Sequence, residues 1–460
     1  MSAALHRRDI DMTAGSITKH LILFALPMLL GNIFQQLYNT VDSIVVGTFV
    51  GKEALAAVGT VGPIINMLIG FFNGFASGAG VIISRAYGAH DRAQLRSAIH
   101  TAMGLTLLLS VLLTALGVSL APAFLRMMKT PDDVLSEAAA YLRIYFAGAT
   151  GLLFYNIGAG ILRAVGDSMR PLYFLIFSAV VNTALDLLFV AVFGWGIVGV
   201  AVATVAAQLL SALLVMIILT REQTDYRVEL RSIRLERETL SHILTVGLPT
   251  AVQMAITSFS NVFVQSYINR FGASCIAGWT VFNKVDAFIL LPAGALSLAE
   301  TTFVGQNIGA GDIERAKKGT STTMRLSFLT TFLLLVPTML FSRQLVTIFN
   351  SDPEVLTYGT RFILTITPFY LTVVVSQTIA GSLRGAGDAK ACMYIILGSY
   401  VVFRQIYLFV VYRIWGTLLL VSLGYPMGWI VGSVAIYIYY KSNRWKKAIT
   451  YLQTEKAGKD

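Results

Sequence analysis

Charge is scarce in this chain. Only 13% of its 460 residues are Asp, Glu, Lys or Arg, whereas a soluble domain carries about 25%. Cysteine is almost missing: Cys275 and Cys392 both sit in apolar context, which excludes a disulfide framework. No Gly-x-x-x-x-Gly-Lys loop is present, so nothing in the chain is built to bind ATP phosphates. Gly78-Ala79-Gly80 and Gly158-Ala159-Gly160 lack the third glycine of a dinucleotide site, and Gly-x-Ser-x-Gly does not occur. The five histidines form no His-Glu-x-x-His or Cys/His cluster. His20, His90, His100 and His242 therefore read as interfacial rather than catalytic. A cleavable signal peptide is not expected, because the polar start runs through Thr18 and the first apolar run continues past Val50 without a small-residue cleavage site.

What fills the space is apolar sequence, 56% of the chain. A run of about 20 apolar residues spans the hydrocarbon core of a bilayer, and in lipid such runs must satisfy their backbone internally, as helices. The runs predict twelve spans, at 17–47, 53–82, 98–124, 137–162, 171–193, 197–220, 240–269, 273–304, 322–342, 357–383, 391–412 and 416–440. The fold class that follows is an all-α integral membrane protein.

The charges that remain are distributed by side. With the N-terminus, the even-numbered connections and the C-terminus on one side, that side holds 25 Lys and Arg against six on the other, and four lie within spans. This bias places both termini in the cytoplasm of a cell whose inner membrane the chain crosses many times. It also accounts for the net charge of +11, so no nucleic-acid partner is needed. The tail Lys441-Ser442-Asn443-Arg444-Trp445-Lys446-Lys447 is expected either to lie against anionic headgroups or to act only as an orientation signal.

The sequence also repeats itself. Gly160-Ile161-Leu162-Arg163-Ala164-Val165-Gly166-Asp167 returns 221 residues later as Gly381-Ser382-Leu383-Arg384-Gly385-Ala386-Gly387-Asp388, and Asp91 returns as Asp312. At an offset of 222, Leu26-Pro27 and Asn39 return as Leu248-Pro249 and Asn261. Each half holds an even number of spans, so the copies enter the membrane in the same orientation and are expected to be related by a pseudo-twofold axis along the membrane normal. The predicted organisation is a cytoplasmic N-terminus (1–16), a first six-helix half (17–220), a charged linker (221–238), a second six-helix half (239–440) and a basic tail (441–460).

An ionisable residue inside a span costs at least about 2.5 kcal/mol to insert and is a functional candidate by default. Asp42 lies deep in the first span and Asp186 in the middle of the fifth, with Asn182 four residues earlier on the same face. Thr204 of the sixth span adds a hydroxyl. No Lys or Arg lies deep in the first six spans, so these residues read as a cation or proton site rather than as braces for helices. Such an oxygen-rich set suits a hard cation such as Na⁺, and it suits a proton equally. The second half carries both signs: Lys284, Asp286, Arg404 and Gln405. There, mutual pairing is the first expectation and a substrate or gating role the second, while Glu300, near the end of its span, is expected at the solvated interface. Gln35 and Asn39, beside Asp42, are further cavity candidates. Pro27 and Pro249 mark matching kinks, static or moving, and Gly74-xxx-Gly78 allows close helix contact.

These segments resemble the multidrug and toxic compound extrusion (MATE) family from about residue 15 to 440. The resemblance is carried by Gln36-Leu37-Tyr38-Asn39-Thr40-Val41-Asp42, by Phe303-Val304-Gly305-Gln306-Asn307-Ile308-Gly309-Ala310, and by the two Leu-Arg-Ala/Gly-x-Gly-Asp turns at 162–167 and 383–388. It implies two six-helix bundles forming a V around a central cavity. It implies a secondary antiporter rather than an enzyme, a functional monomer that expels cationic amphipathic drugs in exchange for H⁺ or Na⁺ and needs no other cofactor. Asp42, Asn182, Asp186 and Thr204 match the cation site of the DinF-like branch. The NorM-like branch carries a glutamate where this chain has Thr257. A lipid-linked oligosaccharide flippase of the same superfamily, whose cavity would be more basic, and an intramembrane enzyme are the alternative readings. Gly88-Ala89-His90-Asp91-Arg92 faintly resembles the loop signature of major facilitator transporters, but it lacks the second glycine and the following basic run.

Overall fold

The computed structural model describes residues 10–128, 130–221 and 224–449, and every regular element among them is helical. The long helices are α1 (Ile17–Val50), α2 (Lys52–Gly88), α3 (Arg92–Met127), α4 (Asp132–Ala147), α5 (Ala149–Ala164), α6 (Met169–Val192) and α7 (Gly196–Arg221). The series continues with α8 (Arg237–Phe271), α9 (Ala273–Gly309), α10 (Ile313–Leu340), the short α11 (Ser342–Phe349), α12 (Pro353–Gly385), α13 (Ala389–Ile414) and α14 (Leu418–Lys441). Among the described residues eleven helices are long and apolar enough to cross a membrane, or twelve when α4 and α5 count as one span bent by 47°. The bend falls at Gly148, where a Cβ would stand 2.2 Å from Val205, so α7 packs directly against the break.

Capping explains where helices start. Asp91 accepts the Gln94 N–H at 3.0 Å and Asp312 accepts the Arg315 N–H at 2.7 Å, opening α3 and α10. The second cap corrects the predicted span 322–342: α10 begins at Ile313, because its polar first turns are helical although they read as loop. The duplicated turns work alike. Gly166 (φ 98°) and Gly387 (φ 82°) take the left-handed conformation that stops one helix. Asp167 then accepts from Met169 and Arg170, and Asp388 from Ala391, to start the next.

By contacts the chain divides into two units. Unit 1 holds residues 26–247 together with the N-terminal residues through Asp11, and unit 2 holds Met12–Ala25 and Leu248–Asp460. The division runs next to Pro27 in α1 and Pro249 in α8, the two matching prolines. Unit 1 packs around Leu142, Phe146, Val200 and Ala201, and unit 2 around Trp279, Phe282, Phe362 and Tyr370. Between helices in lipid, apolar burial drives little, since acyl chains are as apolar as leucine; close packing of small residues does the holding. The side chains left exposed on the spans, among them Val111, Val180, Leu333 and Ile438, are apolar, as a lipid-facing surface requires. The segment after α7 packs on α3: Tyr226 and Val228 are buried, and His100 accepts the Glu229 N–H on Nε2 at 3.0 Å while its Nδ1 lies 2.7 Å from the Arg96 carbonyl. That histidine is a structural clasp. His100→Phe is expected to cost about 1–3 kcal/mol, the price of an unsatisfied buried donor, read as a lower Tm in detergent.

Candidate functional site

The residues predicted for the site in the first half come together from three helices of unit 1. Asn182 and Asp186 lie one turn apart on α6 and are 1% and 0% exposed; Thr204 of α7 is 4% exposed; Asp42 of α1 is half-buried. The carboxyls of Asp42 and Asp186 are hydrogen-bonding neighbours. In the amide orientation its neighbours require, Asn182 donates to Asp186 Oδ2 at 3.1 Å and accepts the Thr204 N–H at 3.3 Å. The amide oxygen that the sequence offers to a cation is thus turned to backbone, and the amide instead steers the carboxylate. The Thr204 hydroxyl donates to the Val200 carbonyl at 3.0 Å and keeps its lone pairs for other partners.

Two residues that the sequence reading did not single out complete the cluster. The hydroxyls of Tyr38 (α1) and Tyr141 (α4) are hydrogen-bonding neighbours of Thr204 and stand in the field of Asp42. The signal for Tyr38 was available, since it precedes Asp42 by one helical turn. Tyr141 had none, because only packing brings α4 to α1 and α7. No Lys or Arg forms an ion pair with either aspartate among the described residues. Asp42 Oδ1 and Asp186 Oδ1 are buried without a hydrogen-bond partner. Unpartnered carboxyl oxygens backed by hydroxyls are the donor set of a hard monovalent cation, so these residues fit Na⁺, and they fit a proton as well. The backbone marks the place too: stretches of π-helix follow these residues at Val46–Val50 and Leu187–Val192, and such wide turns occur frequently at functional sites.

In unit 2 the structure separates what the sequence grouped. Lys284 is exposed and lies over the Phe349 ring at 5.3 Å, while Asp286 accepts the Tyr370 hydroxyl. Arg404 is buried and donates to Ser260 Oγ at 2.8 Å and Asn261 Oδ1 at 2.9 Å. Gln405 also bonds Ser260. The expected mutual pairing of Lys284, Asp286 and Arg404 does not form, because each finds a hydroxyl, amide or ring of its own. Glu300 corrects the sequence reading outright: it is 0% exposed and accepts the Thr323 hydroxyl at 2.5 Å, since α10 lays a row of threonines over it. Thr323→Val removes that donor and is expected to cost about 1–3 kcal/mol of stability, measured as a fall in Tm. Gln35 is exposed, and the Asn39 side chain lies outside the described residues.

The family model described as MatE matches residues 27–188 and again 249–410, so the second match begins 222 residues after the first, the offset of the internal repeat.

The chain belongs to the MatE family.

It is 31% identical over 460 residues to the probable multidrug resistance protein YoeA of Bacillus subtilis (strain 168), covering 95% of this chain and 96% of that one. It is 30% identical over 437 residues to the probable multidrug resistance protein YpnP of the same organism, covering 95% and 97%. A solved structure described as the outward-facing conformation of a multidrug resistance MATE family transporter of the MOP superfamily superposes with a TM-score of 0.88, at 24% identity, over 98% of this chain and 99% of the other. That likeness is one of fold. As a MATE protein the chain is a membrane transporter and not an enzyme. The duplicated turns, the two prolines and the paired aspartates are therefore parts of a transporter.

Proposed function

We propose that this MATE transporter is a secondary antiporter. It exports small organic cations in exchange for inward flow of H⁺ or Na⁺, by alternating exposure of a binding cavity, with both termini in the cytoplasm of a bacterial inner membrane. The observation that carries the reading is the pair of adjacent carboxyls, Asp42 and Asp186, in unit 1, with a buried unpartnered oxygen on each and no basic partner among the described residues. A cost of that size in a membrane is kept only for a task. Asp42 and Asp186 would hold the ion, Thr204 would supply a further oxygen, and Asn182, Tyr38 and Tyr141 would orient the carboxyls. The relatives' names support drug-like substrates, and the 25-to-6 distribution of Lys and Arg supports the orientation. The donor set resembles that of the DinF-like branch.

The test is efflux of ethidium from proteoliposomes under an imposed Na⁺ gradient or an imposed pH gradient. Transport driven by one gradient names the ion. Absence of gradient-driven transport of any cationic dye by folded protein would sink the antiporter.

A further inference from the structure

The internal repeat maps residues around the paired aspartates of unit 1 onto a basic place in unit 2, while Asp42 and Asp186 themselves fall on Val264 and Tyr407. Arg404 stands 221 residues after Thr183, and Tyr425 stands 221 after Thr204; Ser260 and Asn261 stand 222 after Tyr38 and Asn39. In unit 2 these residues meet. Arg404 is 2% exposed, lies over the Tyr425 ring at 4.6 Å, and packs its Cβ within 3.6 Å of the position a Cβ on Gly428 would take. Both of its hydrogen bonds come from Nη2, to Ser260 Oγ and Asn261 Oδ1, and Nε is buried with no partner. No carboxylate forms an ion pair with it among the described residues. Immediately before it the backbone widens into π-helix at Gly398–Phe403, as it does beside the aspartates of unit 1. Asn261 is exposed, so the cluster reaches the surface of the unit at that residue.

A buried guanidinium whose partners are all neutral, with a free N–H edge, is short of an anion, and its planar fork matches a carboxylate. We propose that Arg404, with Ser260, Asn261 and Gln405, forms a site in unit 2 that holds the carboxylate of a bound substrate. This rests on the multidrug reading above and not on which ion drives it.

The experiment is equilibrium binding by fluorescence polarisation to the full-length protein in lipid nanodiscs. The probes are rhodamine 110, which has a free carboxyl, and rhodamine 123, its methyl ester on the same chromophore. Arg404→Gln is expected to weaken rhodamine 110 by about tenfold and rhodamine 123 by less than about twofold, as the loss of a charge-assisted hydrogen bond implies. Asn261→Asp places a competing carboxylate beside Nη2 and is expected to give the same selective loss with Arg404 in place, which covers the case in which Arg404→Gln does not fold. Equal loss of both dyes, no loss of either, or failure of the wild type to bind rhodamine 110 overturns the site. No gradient enters this assay, so its failure and the failure of antiport are read separately.

Discussion

Asp186→Asn is expected to lower gradient-driven export by roughly 100-fold, the loss of about 2.7 kcal/mol in the transport barrier, while the protein stays as stable as the wild type. The two halves of that result have different causes. Asparagine keeps the shape of the side chain but carries no charge and binds no proton, so it ends coupling whether the ion is H⁺ or Na⁺. Stability is held because, among the described residues, Asp186 makes no ion pair that the substitution would break; its carboxyl is buried, one oxygen is unpartnered, and its neighbours are the Asn182 amide and the Asp42 carboxyl, both of which an asparagine can still meet. A structural brace would behave oppositely, since removing one partner of a buried pair costs about 3–5 kcal/mol. Asp42→Asn is expected to follow the same pattern. Asn182→Ala, which removes the donor that steers Asp186, is expected to weaken transport by about tenfold, as a lost hydrogen bond to a charged group does. Ethidium efflux and Tm measured on the same preparations decide the matter. Full export by a folded Asp186→Asn protein would remove the paired carboxyls from the mechanism.

The second large effect is an asymmetry between two glycines that touch. A Cβ added at Gly78 would lie 2.3 Å from the Gly247 Cα and 2.4 Å from its nitrogen, whereas one added at Gly247 would lie 3.4 Å from Phe75. The first contact is with backbone and cannot be relieved by turning a side chain. The second is ordinary van der Waals distance. Gly78→Ala is therefore expected to force α2 and α8 apart at a cost of about 1–3 kcal/mol or more, and Gly247→Ala to be close to neutral. Intrinsic tryptophan fluorescence during thermal unfolding in detergent reads the difference. Equal effects at the two positions would show that the helices do not approach through Gly78.

Much of this architecture was legible in the residues. Long apolar runs leave the backbone no choice but helix in lipid, so eleven spans could be read from composition alone, and the twelfth differs only by its break at Gly148. The repeat was legible because its carriers are glycines and aspartates tied to backbone geometry: Gly166 and Gly387 at positive φ, Asp91 and Asp312 as caps. Asp42 and Asp186 stood out for the same kind of reason, since a charge in lipid is expensive wherever the helix goes.

What the sequence could not decide was who meets whom. It offered Glu300 to solvent, and the structure buries it beneath Thr323, because a residue's depth depends on the neighbouring helix rather than its own. It grouped Lys284, Asp286 and Arg404 by sign, and packing gave each a different partner. It placed Asn182 in the cation site, but that its amide meets both Asp186 and the Thr204 N–H is set by packing of α6 on α7. Tyr141 entered the site only because α4 packs beside α1 and α7. Spans, repeat and the cost of intramembrane charge are properties of one helix in lipid, which local composition determines. Partners, exposure and amide orientation are properties of helix pairs, and only the tertiary structure sets those.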